Sequence, residues 1–225
     1  MSGAAASVPD NLVEALAQLE ADGLVAFPTE TVWGLAARAD SERAVERLLS
    51  FKGRDRDQPI SVMIDQPTTL DSLGVSPGPR LLALAEAFWP GPLTLVIPWP
   101  EKAAHGCLAP GIAGPTGAVG VRCSDHPLAN LLARRALGRN LGLLTATSFN
   151  RSGETPVQTH SEAILLAKSQ AVDPPIVLAP GPHDAGGGTP STVLDLTASE
   201  PRVLREGAIA ERALARVLAS LAPGQ

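Results

Sequence analysis

Short, almost continuously apolar runs, LVAF at 24–27, ISVMI at 60–64, LTLVI at 93–97 and PIVLA at 175–179, alternate along the chain with stretches whose apolar residues return every three or four positions. A strand that is apolar on both faces must be covered on both, and the covering elements on offer are the amphipathic helices between the strands. That requirement admits few folds. Helices are predicted at about 10–22, where Leu12, Val13, Leu16 and Leu19 recur, Asp10 can cap and Gly23 follows, and at 41–50 with Val45, Leu48 and Leu49 on one face. Others fall at 79–88, 126–137, 160–169 and 209–221, and further strands at VGVR (119–122), GLLTATS (142–148), STVLDL (191–196) and RVLR (202–205). No internal repeat or low-complexity linker interrupts the alternation, and 225 residues can bury a sizeable core. The expectation is one α/β domain with a mixed sheet, its core over about 8–209 and a closing helix at 209–221. The Gly/Pro-rich stretches 100–118 and 180–190 have no period, and the first is long enough to serve as a lid over a ligand.

Several function classes are excluded before any site is considered. A net charge of −5 argues against a protein that holds a long polyanion by bulk charge, so an anion site must be local. Cys107 and Cys123 have no CxxC or metal-ligand spacing, and His105, His126, His160 and His183 are scattered, so no protein-bound metal is expected. There is no Gly-Lys pair for a Walker loop, no GxGxxG and no GxSxG, which disfavours the common nucleotide cradles and covalent hydrolase chemistry. The N-terminus lacks the basic region of a signal peptide, and no apolar run is long enough to span a membrane, so a cytoplasmic protein with reduced cysteines is expected.

What remains is a set of polar and cationic residues at element ends. FPTETVWGL puts Thr29, Glu30 and Thr31 directly after a strand, where they form either a plain turn or the edge of a crevice. In KGR, Lys52 and Arg54 share a side if the chain is extended, so both could meet one phosphate group. Alternatively Asp55 and Asp57 pair with Lys52, Arg54 and Arg56 on a wet turn, the reading that charge alone favours. TSFNRSG places Ser148 and Asn150 two apart at a strand end, Ser191 and Thr192 open a strand, and Arg205 closes one.

Taken in order, FPTETVWGL, KGRDRDQPISVMI, WPGPLTLVI, VGVRCSDHP, TSFNRSGETP, PSTVLDL and VLREGAI resemble the YrdC-like family of threonylcarbamoyl-adenylate synthases over nearly the whole chain. The resemblance implies a single α/β domain with a twisted mixed parallel/antiparallel sheet and flanking helices around a concave, positively lined cavity. It implies condensation of L-threonine, bicarbonate or CO2 and ATP to threonylcarbamoyl-AMP and diphosphate, with Mg2+ carried by the nucleotide. The product would pass to proteins that modify an adenosine of tRNA, with direct contact to tRNA or double-stranded RNA as a further partner. The family's phosphate-facing signature falls on Lys52, Arg54, Ser148 and Asn150, with Gln58 and Arg205 on the ATP side. Its threonine contacts fall on Thr31, Arg122 and Ser191. Three residues depart from the family pattern: Trp33 for a usual Tyr, Phe149 for a small residue, and Met63 where some relatives place His. The chain ends soon after Arg205, so it resembles the short, single-domain form.

The implied chemistry sets a requirement. A threonine carbamate must approach an anionic triphosphate, and two like charges at about 4 Å repel by about 4 kcal/mol at an effective dielectric near 20. Cations at the phosphates and an arginine on the amino-acid carboxylate would meet that requirement without a side-chain nucleophile. Two other readings stay open at this level: an RNA-binding module of the same fold, and a paralogue of the YciO type with a different substrate.

Overall fold

The computed structural model describes residues 8–54, 60–100, 108–114, 116–179 and 187–221. In chain order the elements are α1 (Leu12–Glu20), β1 (Val25–Phe27), β2 (Gly34–Ala36), α2 (Glu42–Lys52), β3 (Val62–Ile64), α3 (Thr69–Ser72), α4 (Pro79–Phe88), β4 (Leu93–Pro98) and β5 (Ala118–Cys123). There follow α5 (Pro127–Gly138), β6 (Leu144–Thr145), β7 (Thr147–Ser148), α6 (His160–Lys168), β8 (Ile176–Val177), β9 (Thr192–Asp195), β10 (Arg202–Arg205) and α7 (Glu211–Ala219). The α/β class with mixed strand directions is as expected, but the strands form two sheets rather than one. The order is β7-β2-β1-β8 in the smaller and β10-β9-β4-β5-β3-β6 in the larger. Parallel pairs occur in both, β1 with β8, β3 with β5 and β4 with β9.

The division is made inside GLLTATS, which periodicity reads as one strand. Leu144 and Thr145 pair with β3, whereas Thr147 and Ser148 pair with β2, so the chain leaves one sheet for the other at Ala146. The crossing is held by hydrogen bonds to both sides. Ala146 N–H donates to Ser61 O at 2.7 Å, and Thr145 Oγ1 accepts from Ala37 N–H at 2.9 Å while donating to Leu35 O at 3.2 Å. Thr145 is fully buried, so these bonds satisfy groups that water cannot reach.

Local chemistry explains most helix boundaries. In α2, Ser41 caps the first turn by accepting from Ala44 N–H, and Val45, Leu48 and Leu49 are buried as predicted. In α6, Thr159 and Glu162 form a reciprocal capping box, and in α5 the His126 side chain accepts from Leu128 N–H, which gives that histidine a structural task. In α1 two expectations fail. Val13 faces outward at 67% exposure while Ala15 takes the inner position. Asp10 does not cap: the N-cap is Asn11, whose side chain instead donates to Val177 O and accepts from Ala179 N–H, tying α1 to the β8 segment. The left-handed residue after α1 is Asp22, at φ 59, not Gly23.

The end of α2 matters most for the site. The helix runs on to Lys52, and Gly53 terminates it at φ 61, ψ 42, after which Arg54 N–H bonds back to Leu49 O at 3.1 Å. Nothing among the described residues lies within 4 Å of a Cβ built on Gly53, so Gly53→Ala is expected to meet chiefly the backbone penalty of a left-handed L-residue, about 1–2 kcal/mol. Urea unfolding of Gly53→Ala is expected to show a stability loss of about that size at an unchanged m-value; an unchanged midpoint would mean that the cap does not hold the turn.

Candidate active site

One row of residues runs straight across the larger sheet. Register pairs Arg205 with Val193, Val193 with Thr94, Thr94 with Arg122, and Arg122 with Met63, so all five share a sheet face although 142 positions separate Met63 from Arg205 in the sequence. All five line a cavity of about 410 Å3, whose other walls are Phe27, Gly34 and Ser148 of the smaller sheet and Lys52 and Arg54 from the end of α2. The cavity thus opens between the two sheets. Gly34 is required there, because a Cβ would lie 2.5 Å from Cζ of the buried Phe27 ring.

At one end the Lys52 ammonium is buried, donating to Ser148 O at 2.6 Å, Asn150 O at 3.1 Å and Asn150 Oδ1 at 3.2 Å. Ser148 Oγ donates to the same Oδ1 at 2.6 Å, and Ser152 N–H returns to Lys52 O at 2.7 Å. Lys52 and three residues about a hundred positions further on, Ser148, Asn150 and Ser152, therefore form one hydrogen-bonded knot. Lys52 has no carboxylate partner among the described residues. Burial first, and the Arg54 charge second, lower its pKa from 10.5 to about 8. Burial also lowers that of Arg54, which still stays cationic at neutral pH.

The other end is balanced differently. Arg122 Nη2 donates to Thr31 Oγ1 at 2.7 Å and to Glu30 Oε1 at 2.8 Å, and Ser124 Oγ donates to the second oxygen of Glu30. The guanidinium is thereby held against the PTET turn, with its Nε a buried donor that has no partner among the described residues. Arg205 donates to Ser191 O from both Nε, at 3.2 Å, and Nη2, at 2.9 Å, and from Nη2 to Ser191 Oγ at 3.2 Å. Burial and then the Arg122 charge lower the Arg205 pKa, and burial followed by Glu30 raises that of the Asp125 carboxyl. Burial pushes the neighbouring Cys123 thiol up to about 12, so it is an inert core group at neutral pH.

Of the residues singled out from sequence, Lys52, Arg54, Arg122, Ser148, Asn150, Ser191 and Arg205 all line the cavity, and Thr31 is bonded to Arg122 at its edge. Lys52 and Arg54 converge for a reason other than the extended chain expected. A helix end and a left-handed glycine bring them to one side. Arg205, expected on the ATP side, is bonded to Ser191 and stands in the Arg122 row. Gln58, with Asp55, Arg56 and Asp57, lies outside the described residues. Of the departures, Met63 lies in the row and Trp33 in the wall, stacked on His160 at 5.7 Å between centroids. Phe149 is core, stacked on Phe51 at 5.4 Å. Sequence reasoning missed Thr94 and Ser124 and gave Glu30 no task; a hydroxyl inside the apolar run LTLVI was the available signal for Thr94. Within the expected lid, residues 108–114 are packed, with Ile112 fully buried and Ala109 N–H bonded to Ala39 O at 2.7 Å. Residues 101–107 and 115 lie outside the described residues.

Residues 17–207 match the Sua5/YciO/YrdC family model, described as telomere recombination. A Mycobacterium tuberculosis H37Rv protein whose provisional name is threonylcarbamoyl-AMP synthase is 36% identical over 214 residues, covering 92% of this chain and 88% of that protein. The threonylcarbamoyl-AMP synthase of Bacillus subtilis strain 168 is 35% identical over 209 residues, covering 92% of this chain and 56% of that one. The crystal structure of Pyrococcus abyssi Sua5 complexed with L-threonine aligns with a TM-score of 0.75 at 32% identity, over 92% of this chain and 57% of the other. This chain spans just over half the length of the Bacillus and Pyrococcus proteins.

The low pKa of Lys52 has a stability consequence with a definite sign. The unfolded lysine keeps its proton up to about pH 10.5 and the folded one only to about 8, so between those values the unfolded state binds more protons. The penalty of burying the ammonium is therefore full below pH 8 and fades as pH rises to 10.5. Relative to Lys52→Met, the unfolding free energy of the parent is expected to rise through that window in urea titrations; parallel pH profiles would refute the buried, unpaired ammonium.

Proposed function

Because the chain belongs to the Sua5/YciO/YrdC family, we propose that it is an L-threonylcarbamoyladenylate synthase, a nucleotidyltransferase that joins L-threonine, bicarbonate and ATP into threonylcarbamoyl-AMP and diphosphate. The observation that carries this reading is the pairing of cations at two ends of one cavity, Lys52 with Arg54 and Arg122 with Arg205. A reaction between an amino acid and a nucleoside triphosphate needs two anion sites at reacting distance, and a volume of about 410 Å3 is within the range of small-ligand clefts.

In this reading the threonine carboxylate sits on Arg122, whose unpartnered Nε is the sort of buried donor that a ligand oxygen satisfies. Bicarbonate takes up a proton and loses water to give CO2, the threonine amine, its ammonium proton released to solvent, adds to CO2 and loses a second proton to form a carbamate, a carbamate oxygen attacks the α-phosphorus, and diphosphate leaves. Lys52 and Arg54 counter the charge of the triphosphate and of the leaving diphosphate, and Ser148 and Asn150 hold the Lys52 ammonium in place for that task. The described residues hold no cluster of three or more His, Cys, Asp or Glu side chains suited to a metal ion, so Mg2+ would enter on the nucleotide. The product would serve the proteins that transfer the threonylcarbamoyl group to tRNA. Among the described residues no helix is long and apolar enough to cross a membrane.

The test is diphosphate release from ATP, threonine and bicarbonate with each omitted in turn. Dependence on all three is expected. Arg54→Ala should lower the rate at least tenfold, about 1.4 kcal/mol in the barrier. Diphosphate release at the parent rate in that variant would remove Arg54 from the mechanism. RNA affinity that falls steeply with salt, with no threonine-dependent diphosphate, would replace the synthase reading by an RNA-binding one.

A further inference from the structure

The hydroxyls of Thr94 and Ser191 lie 2.9 Å apart in the cavity wall, and both residues are buried. Their hydrogens can be counted. Ser191 Oγ accepts from Arg205 Nη2, and each hydroxyl has one hydrogen to give. If Ser191 donates to Thr94, the Thr94 hydrogen has no acceptor among the described residues; if Thr94 donates to Ser191, the Ser191 hydrogen has none. Either way the pair keeps one O–H with no acceptor among the described residues, and an oxygen lone pair beside it. Buried hydroxyls are not left so without cost, and the wall that carries this one faces the cavity.

The neighbours of the pair define what would satisfy it. Thr94 is the register partner of Arg122, so the two stand one strand spacing apart, about 4.5–5.5 Å between Cα atoms. Met63 flanks Arg122 on the far side, Val193 flanks Thr94, and Val96 lies two residues along β4; all three line the cavity and are apolar. A ligand held by its carboxylate on Arg122 would therefore present its side chain to one hydroxyl pair set among apolar groups. A group that both gives and takes a hydrogen bond while carrying a methyl fits that setting.

We propose that Thr94, through its pair with Ser191, is the specificity residue of this site, reading the β-hydroxyl of the amino-acid substrate while Met63, Val96 and Val193 receive its methyl. This rests on the threonine reading above and adds to it the group that tells threonine from its deoxy analogue. A site built to hydrogen-bond a substrate hydroxyl rejects the analogue that lacks it, because the protein's own polar groups are then left unpaired.

The experiment compares kcat/KM for L-threonine and L-2-aminobutyrate, which keeps the methyl and lacks the hydroxyl, in the parent, Thr94→Val and Thr94→Ser, with saturating ATP and bicarbonate. The parent is expected to prefer threonine by about a hundredfold or more. Thr94→Val should lose at least tenfold on threonine and change less than about threefold on 2-aminobutyrate, so that the preference collapses, whereas Thr94→Ser should keep it. Equal losses on both substrates, or an unchanged ratio, would overturn the assignment and reduce Thr94 to a structural or carboxylate-binding role. Should Thr94→Val fail to fold, Ser191→Ala carries the same test, since removing either hydroxyl breaks the pair; an intact preference in that variant overturns the assignment. A parent that turns over threonine with no preference refutes this inference alone. A parent that releases no amino-acid-dependent diphosphate refutes it together with the synthase reading.

Discussion

The ammonium of Lys52 holds together the end of the cavity that α2 supplies. It is buried, carries no carboxylate partner among the described residues, and gives its three hydrogens to Ser148 O, Asn150 O and Asn150 Oδ1. That one group fixes the end of α2 against the end of β7, so the crossing between the two sheets and the left-handed turn at Gly53 are located by the same contact. Asn150 is saturated in turn, its Nδ2 donating to Arg151 O and Glu154 O at 2.7 Å each. The donors around the knot are ordered by one another before any ligand arrives. This is the condition under which fixed dipoles and charges stabilise a transition state without reorganising.

The helices and strands were largely legible because their signals are local. Pro79 and the WPGP break bound α4 at the predicted residues, and Val45, Leu48 and Leu49 mark the inner face of α2. The row across the larger sheet was not legible, because register is a property of pairs. Nothing in LTLVI or VGVR says that Thr94 faces Arg122, although each run announces a strand. The short strand β2 and the split of GLLTATS escaped for a related reason. Three residues of GLA, or two on each side of Ala146, are too few to show a period, and their pairing is fixed by bonds to distant partners, Thr145 with Ala37 and Ala146 with Ser61.

Resemblance located the cavity residues better than the physical reading of each segment did. Charge alone favoured a wet turn for the KGR segment, since nothing local reveals that a lysine at a helix end will be roofed by residues 96 and 98 positions away. It also favoured a simple geometric reason, an extended chain, where the structure uses a C-cap. The departures from the family pattern separate once neighbours are visible. Phe149 stacks on Phe51, whose ring is also covered by the Arg151 guanidinium at 4.3 Å, so its bulk belongs to packing behind the site. Met63 stands beside Arg122 and lines the cavity itself.

The two ends of the cavity differ in how their charge is met, and the difference suits the chemistry proposed for it. Arg122 is matched by the Glu30 carboxylate at 2.8 Å, itself held by Ser124, so the positive charge of that end is reduced to that of Arg205 while directed donors are kept. Among the described residues Lys52 is matched by carbonyl and amide oxygens and by no carboxylate, with the Arg54 charge near it. A zwitterionic amino acid needs orientation more than neutralisation, whereas a triphosphate needs net positive charge. In that proposed chemistry Glu30 is a positioning residue: it holds the Arg122 guanidinium against the PTET turn and offsets one of the two arginine charges at that end.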